Sequence, residues 1–298
     1  MKYLLLLVSA AVLVGCGSVP KPEIAPDVIP PAPVAAVKTP PRIGLALGGG
    51  AARGFAHVGV IQVLEEAGIR PTLVTGTSAG SLVAAIYASG KNGKQLQRVA
   101  ETMEEGAITD WTLPLFNRGM LRGDALARYV NGQVSSRLIE DMPLPLGIVA
   151  TDLNSGQSML FQRGDTGTAV RASSAVPAVF QPVKISGREY VDGGLVSPVP
   201  VRAARQMGAE LVIAVDISSP PDGNLGGGTV DVLLQTFSIM GKSINSFELK
   251  DADVVVRPAL PGVSSSDFSA RKRSIEAGRQ AMLQQLPQLR LAIAAKTH

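Results

Sequence analysis

Three short runs in this sequence carry residues that could do chemistry together. The first is Gly76-Thr77-Ser78-Ala79-Gly80, a G-x-S-x-G run between a short apolar stretch and a small-residue helix. A serine in that context stands on a sharp strand-to-helix turn, with nearly side-chain-free neighbours two residues away. The turn strains its backbone and lifts the hydroxyl towards substrate over a helix N-terminus. The competing reading is a plain helix N-cap serine. Placement after a strand and before Leu82-Val83-Ala84-Ala85-Ile86 favours the elbow, with Ser78 as nucleophile between Gly76 and Gly80.

The second run is Gly48-Gly49-Gly50-Ala51-Ala52-Arg53-Gly54, a glycine-rich loop between strand and helix. Its unobstructed N–H groups at a helix N-terminus suit an anion, either a phosphate or the oxyanion of a tetrahedral intermediate. No Lys-Ser/Thr follows the glycines, so it is no P-loop. The acidic pair Glu65-Glu66 lies too close for a dinucleotide fingerprint. With the serine run downstream, the oxyanion reading is preferred.

The third run is Asp192-Gly193-Gly194, after an apolar strand. A hydrolytic serine needs a base within hydrogen-bond reach. The chain has only two histidines, His57 and His298. His57 falls mid-helix among Phe55, Val58 and Ile61, where a packed ring is the commoner outcome, and His298 ends the chain and is expected to be unpinned. Counting therefore points to a carboxylate base, and Asp192 in its glycine-flanked turn is best placed.

Positioning these runs requires a sheet with helices on both faces. The expected strands are Arg42 to Leu47, Leu73 to Thr75, Gly147 to Ala150, Ser158 to Phe161, Val183 to Ile185, Glu189 to Val191, Leu211 to Val215 and Val254 to Val256. Helices are expected at Ala51 to Ala67 (stopped by Gly68), Ala79 to Ala88, Gln95 to Glu105, Asp124 to Asn131, Val201 to Met207 and Val230 to Leu249. A last one runs from Ser274 to Ala295 with a break at Pro287. Apolar strands alternating with helices imply an α/β fold, a single three-layer α/β/α domain over 42–298 with a mostly parallel central sheet.

The N-terminus reads as targeting. Lys2 precedes an apolar run from Leu4 to Val14, too short to span a bilayer, and Leu13-Val14-Gly15-Cys16 closes it. That closure resembles the lipobox of bacterial lipoproteins, against an ordinary secretory signal with an incidental cysteine. The resemblance implies a signal peptide over 1–15 and a lipidated Cys16. With Gly17 rather than aspartate at the second mature position, it implies the outer membrane in a Gram-negative cell. Cys16 is the chain's only cysteine, so no internal disulfide can form. Residues 16–41 are crowded with prolines and read as a semi-stiff tether.

A net charge of +4 is small for 298 residues and argues against a nucleic-acid partner. The basic triplet Arg271-Lys272-Arg273 reads as a solvated helix start, against contact with anionic lipid headgroups.

Taken in order, the Arg-Gly loop, G-T-S-A-G and D-G-G resemble the patatin-like phospholipases. Leu121-Arg122-Gly123-Asp124, Ala150-Thr151-Asp152-Leu153-Asn154 and Ala172-Ser173-Ser174-Ala175-Val176-Pro177 look like blocks of the same family. The resemblance covers about 43–205, with a helical C-terminal extension. It implies a modified α/β-hydrolase-like core and a Ser78-Asp192 dyad without histidine. It also implies hydrolysis of phospholipid or other fatty-acyl esters with no cofactor or metal. Amides of Gly48 to Gly50 would hold the oxyanion, with Arg53 ordering the loop. Two residues depart from many bacterial members: Ala51 stands where a fourth glycine is usual, and Ser197 where asparagine is usual. Ala51 prefers negative φ, which puts its N–H contribution in question. The alternatives are a general carboxylesterase or thioesterase, and an inactive lipoprotein scaffold on the same fold. Protein partners are not legible.

Overall fold

The computed structural model describes residues 17, 38–110, 119–218, 228–264 and 266–298. Cys16, the signal segment and most of the proline-rich stretch lie outside them.

The described residues of the folded unit form ten strands and eight α-helices. In chain order they begin with β1 (Ile43–Leu47), α1 (Ala56–Glu66), β2 (Leu73–Thr77), α2 (Ala79–Ala88) and α3 (Gly93–Thr102). Next come β3 (Gly119–Leu121), α4 (Asp124–Gln133), β4 (Leu146–Asp152), β5 (Ser158–Phe161) and α5 (Thr166–Ser173). The middle closes with β6 (Ala178–Phe180), β7 (Val183–Ile185), β8 (Arg188–Asp192) and α6 (Val201–Gln206). The chain then runs through β9 (Leu211–Val215), α7 (Thr229–Glu248), β10 (Val254–Val256) and α8 (Arg271–Ala295).

β1, β2, β4 and β9 are buried along their whole length, as continuous apolar strands covered on both faces must be. β10, β9, β1, β2 and β4 are parallel, and this half of the sheet matches the expectation. The other half is antiparallel: β5 and β8 both run against β4, and β7 runs against β8. The sheet is therefore mixed.

One register decides the geometry of the site. β2 pairs with β4 as far as Thr77 opposite Val149, and β8 pairs with β4 from Asp192 opposite Ala150. β5 pairs with Ile148 to Thr151 and so occupies the other edge of β4. β2 and β8 thus share one edge of β4 and meet end to end, each pointing its C-terminus at the other.

The helical spacing after the glycine loop begins with a 3₁₀ segment, Ala51–Phe55, before α1 starts at Ala56. α3 stops at Thr102, short of the expected Glu105. At the other end, α8 begins at Arg271 and runs unbroken through Pro287. The proline removes the donor for the Leu283 carbonyl, but Leu283 lies on an exposed turn where water can take its place. α8 packs directly on α1: a side chain at Gly278 would strike the Ala56 carbonyl, and one at Gly59 the Ile275 carbonyl. Arg271 opens α8 by donating to the Ala100 and Glu101 carbonyls, at 3.1 and 2.8 Å. It thereby caps α3, a role beyond the solvated helix start expected of it. His298 is pinned as well, since Thr39 N–H donates to its carbonyl at 2.8 Å and its own N–H returns a bond at 3.2 Å.

Candidate active site

Ser78 sits between β2 and α2 with φ 53° and ψ −124°, a conformation rare for any residue with a side chain. Both flanking glycines are required by space. A Cβ on Gly76 would come within 2.5 Å of the Gly80 carbonyl oxygen, and one on Gly80 would overlap the Leu47 carbonyl. The strained turn is held by Ser173, which is fully buried on α5. Its hydroxyl accepts the Ser78 N–H at 2.9 Å and donates to the Val149 carbonyl at 2.5 Å. Below the turn, Ser81 N–H donates to the Ser78 carbonyl at 2.8 Å, starting α2.

Asp192 ends β8 and faces Ser78 across the junction of the two strands. Both residues line one cleft, and the Ser78 hydroxyl is near enough to the carboxylate to favour its charged form. Gly194 N–H donates to Oδ1 at 2.7 Å, and Thr151 Oγ1 donates to the Asp192 carbonyl at 2.8 Å. The side chain is buried, and desolvation raises its pKa from 3.8 to about 6 against the lowering effect of the Gly194 amide and the Ser78 hydroxyl. At neutral pH the group is still largely ionised and can accept a proton.

The glycine loop divides its amides. Gly48 N–H donates to the Val215 carbonyl at 3.0 Å and Gly49 N–H to the Pro198 carbonyl at 2.9 Å. These two bonds belong to the fold, so the expectation that Gly48 and Gly49 face an oxyanion is corrected. The Gly50 and Ala51 amides have no hydrogen-bond partner among the described residues. Ala51 is held at φ 48° despite its side chain, so the loop keeps the shape a glycine would give it. Gly49 still matters sterically, since a Cβ there would lie 3.1 Å from that of Ser78. Gly54 packs against Ala79, and Gly193 against the Val149 carbonyl. Arg53 is buried and lines the same cleft as Gly49, Gly50 and Asp192.

His57 is fully buried, and its Nε2 lies 2.8 Å from the Gly48 carbonyl oxygen, to which it donates. Burial lowers its pKa to about 4, so the ring is neutral. It lines neither cavity at Ser78. Its position is that of a buttress behind the glycine loop.

Two cavities meet at Ser78. One, of about 280 Å³, is walled by apolar side chains including Phe55, Leu82, Ile86, Leu96, Met103 and Leu126. The other, of about 530 Å³, is a more polar cleft that also contains Asp192, Arg53 and one face of α7. Among the described residues there is no cluster of three or more His, Cys, Asp or Glu side chains that could hold a metal ion.

The sequence had given no role to several residues found here. Ser173 was visible only as part of a family block. Thr77 Oγ1 donates to the Ser197 carbonyl at 2.8 Å, tying the end of β2 to the segment after Asp192. Ser197, buried, donates through its hydroxyl to Glu248 Oε1 at 2.7 Å. The hydroxyl at this departure from the family pattern thus fastens the loop to the end of α7.

A strained elbow serine beside a buried carboxylate, where an apolar and a polar cavity meet, is an arrangement that can serve nucleophilic acyl transfer. Residues 45–205 match the family model described as patatin-like phospholipase, and the chain belongs to that family. An uncharacterized NTE family protein of Mycobacterium tuberculosis is 35% identical over 207 residues, spanning 69% of this chain and 57% of that protein. Human patatin-like phospholipase domain-containing protein 6 is 32% identical over 240 residues, spanning 78% of this chain and 17% of that protein. The chain thus spans little more than half the length of the first relative and a minor part of the second. Among solved structures, VipD from Legionella pneumophila superposes with a TM-score of 0.57 at 16% identity, covering 84% of this chain and 67% of VipD. ExoU of the Pseudomonas aeruginosa type III secretion system, in its ExoU–SpcU complex, gives 0.50 at 18% identity, covering 87% and 53%. Both likenesses concern the fold.

Proposed function

We propose that the protein is a membrane-anchored serine acyl hydrolase that cleaves phospholipid or lysophospholipid esters with a Ser78-Asp192 dyad. The observation that carries this reading is the strained Ser78 standing in one cleft with the buried Asp192 carboxylate, at the point where the two cavities join. In the mechanism, Ser78 Oγ attacks the ester carbonyl carbon while Asp192 takes the hydroxyl proton. The Gly50 and Ala51 amides, with the N-terminus of α2, stabilise the oxyanion; a single such donor is worth roughly 10²–10³ in rate. Collapse of the intermediate expels the alcohol, which takes the proton from Asp192. Water then enters, Asp192 takes its proton, and the acyl-enzyme is hydrolysed.

The apolar cavity suits the fatty-acyl chain, and the polar cleft suits the alcohol side of the ester. That division favours a long acyl chain over the small acyl groups of a general esterase. Anchoring is proposed from Leu13-Val14-Gly15-Cys16 alone, with lipidated Cys16 holding the protein at the cell envelope. No described helix is long and apolar enough to cross a membrane. The test is a lipid panel assayed with the full chain and its Ser78→Ala variant. Release of fatty acid that vanishes with Ser78→Ala supports the reading, and release that survives the substitution contradicts it.

A further inference from the structure

Nine large apolar side chains are exposed among the described residues, and five of them lie on α7: Val232, Leu233, Ile239, Met240 and Phe247. Ile239 and Phe247 are 53% and 62% exposed. At 100° per residue these five, with exposed Thr236 and Ser243 between them, fill a stripe about 120° wide along a helix about 30 Å long. An apolar patch of this kind on a protein surface marks a binding face.

The opposite side of α7 is already accounted for. Asp231, Leu234, Phe237, Ser238, Gly241 and Lys242 line the polar cleft that leads to Ser78. One helix therefore carries the wall of the substrate cleft on one side and an uncovered apolar stripe on the other. Two lysines lie near the stripe: Lys242 is exposed at the rim of the cleft, about 60° round the helix from Ile239, and Lys250 is exposed just past the end of α7, with Nζ 5.2 Å from the Phe247 ring centroid. Of the nearby acids, Glu248 is buried on Ser197, Asp231 lines the cleft, and Asp251 beside Lys250 is paired with Arg202.

We propose that the apolar stripe of α7 docks this protein on a phospholipid bilayer containing anionic headgroups. Docked so, the helix lies in the interface plane with its apolar side chains below the headgroups and Lys242 and Lys250 among them. The cleft behind the same helix then opens beside the bilayer, and an acyl ester reaches Ser78 with a short transit through water. The choice of a lipid surface over a second copy of the chain rests on the lipid-ester reading of the site, on the nearby lysines, and on the continuity of α7 with the cleft wall.

The test reads local burial at the stripe, independently of any N-terminal anchor. In the full chain carrying Cys16→Ser, Ser243→Cys supplies a single thiol on the stripe for an environment-sensitive fluorophore. Gln162→Cys supplies the control, an exposed position just after β5. On adding vesicles of phosphatidylcholine with phosphatidylserine, the probe at 243 should brighten and shift to shorter wavelength, while the probe at 162 stays unchanged. Adding Ile239→Glu and Phe247→Glu should abolish the shift. An unchanged probe at 243, equal responses at both positions, or a shift that appears without vesicles as protein concentration rises would each overturn the proposal, the last in favour of self-association. Ser78-dependent hydrolysis of a soluble short-chain ester by the same protein reports the catalytic reading separately. Its presence with a silent probe condemns the docking face alone.

Discussion

A carboxylate that must act as a base gains from partial desolvation, and Asp192 shows both the gain and its cost. Burial brings its pKa to about 6, nearer to the working pH of a general base than an exposed aspartate would be. A histidine base at its ordinary pKa of about 6.5 would give a similar pH profile, whereas His57, held at about 4 by burial, would give one displaced to lower pH. The sign of the stability effect follows from linkage. Between about pH 4 and 6 the folded protein holds a proton that the unfolded chain has released, so stability is lost as pH rises through that window. A rise from 3.8 to about 6 corresponds to about 3 kcal/mol once both states are ionised. Asp192→Asn should therefore be more stable than the parent at pH 8, with the difference shrinking towards pH 4. Thermal unfolding at the two pH values checks it, and a variant less stable than its parent at pH 8 contradicts the burial argument. That Asp192 would lie beside Ser78 was legible from two histidines and a glycine-flanked aspartate. Which loop amides are free was not, because Gly48 and Gly49 are consumed by Val215 and Pro198, residues remote in sequence.

At the scale of elements, β4 acts as the ruler that brings the two residues together. β2 and β8 abut on one of its edges, so Thr77 and Asp192 fall opposite consecutive residues, Val149 and Ala150. The buried strands β9 and β10 were legible with their bounds, since Leu211 to Val215 and Val254 to Val256 are unbroken apolar runs. β3 and β6 were not: three residues each give no periodicity, and they pair only with one another. α5, Thr166–Ser173, was missed because TGTAVRAS carries too few apolar residues to show a face. That omission hid Ser173, which holds the elbow from this helix. Ser173→Ala should leave the half-buried Ser78 N–H without its acceptor, costing about 1 kcal/mol of stability. It should also slow turnover by loosening the turn. Urea unfolding combined with a turnover assay tests this; full stability in the alanine variant would show that the bond does not support the elbow.

The molecule as a whole joins a mixed sheet, a C-terminal helix packed on α1, and a segment before residue 38 whose chemistry was read from sequence. Anchoring is testable in cells fed a labelled fatty acid: the parent should carry label and Cys16→Ala should not, whereas label retained on Cys16→Ala would remove Cys16 from the account. The central claim is that Ser78 is a nucleophile activated by Asp192, with His57 a neutral buttress. The most direct measurement is the rate at which a fluorophosphonate probe labels the Gly76–Gly80 peptide in the parent, Asp192→Asn and His57→Gln proteins, each shown to be folded by circular dichroism. The account predicts labelling confined to Ser78, slowed about 10²–10⁴-fold by Asp192→Asn and only modestly by His57→Gln. Labelling at another serine, or equal slowing in the two variants, would contradict it.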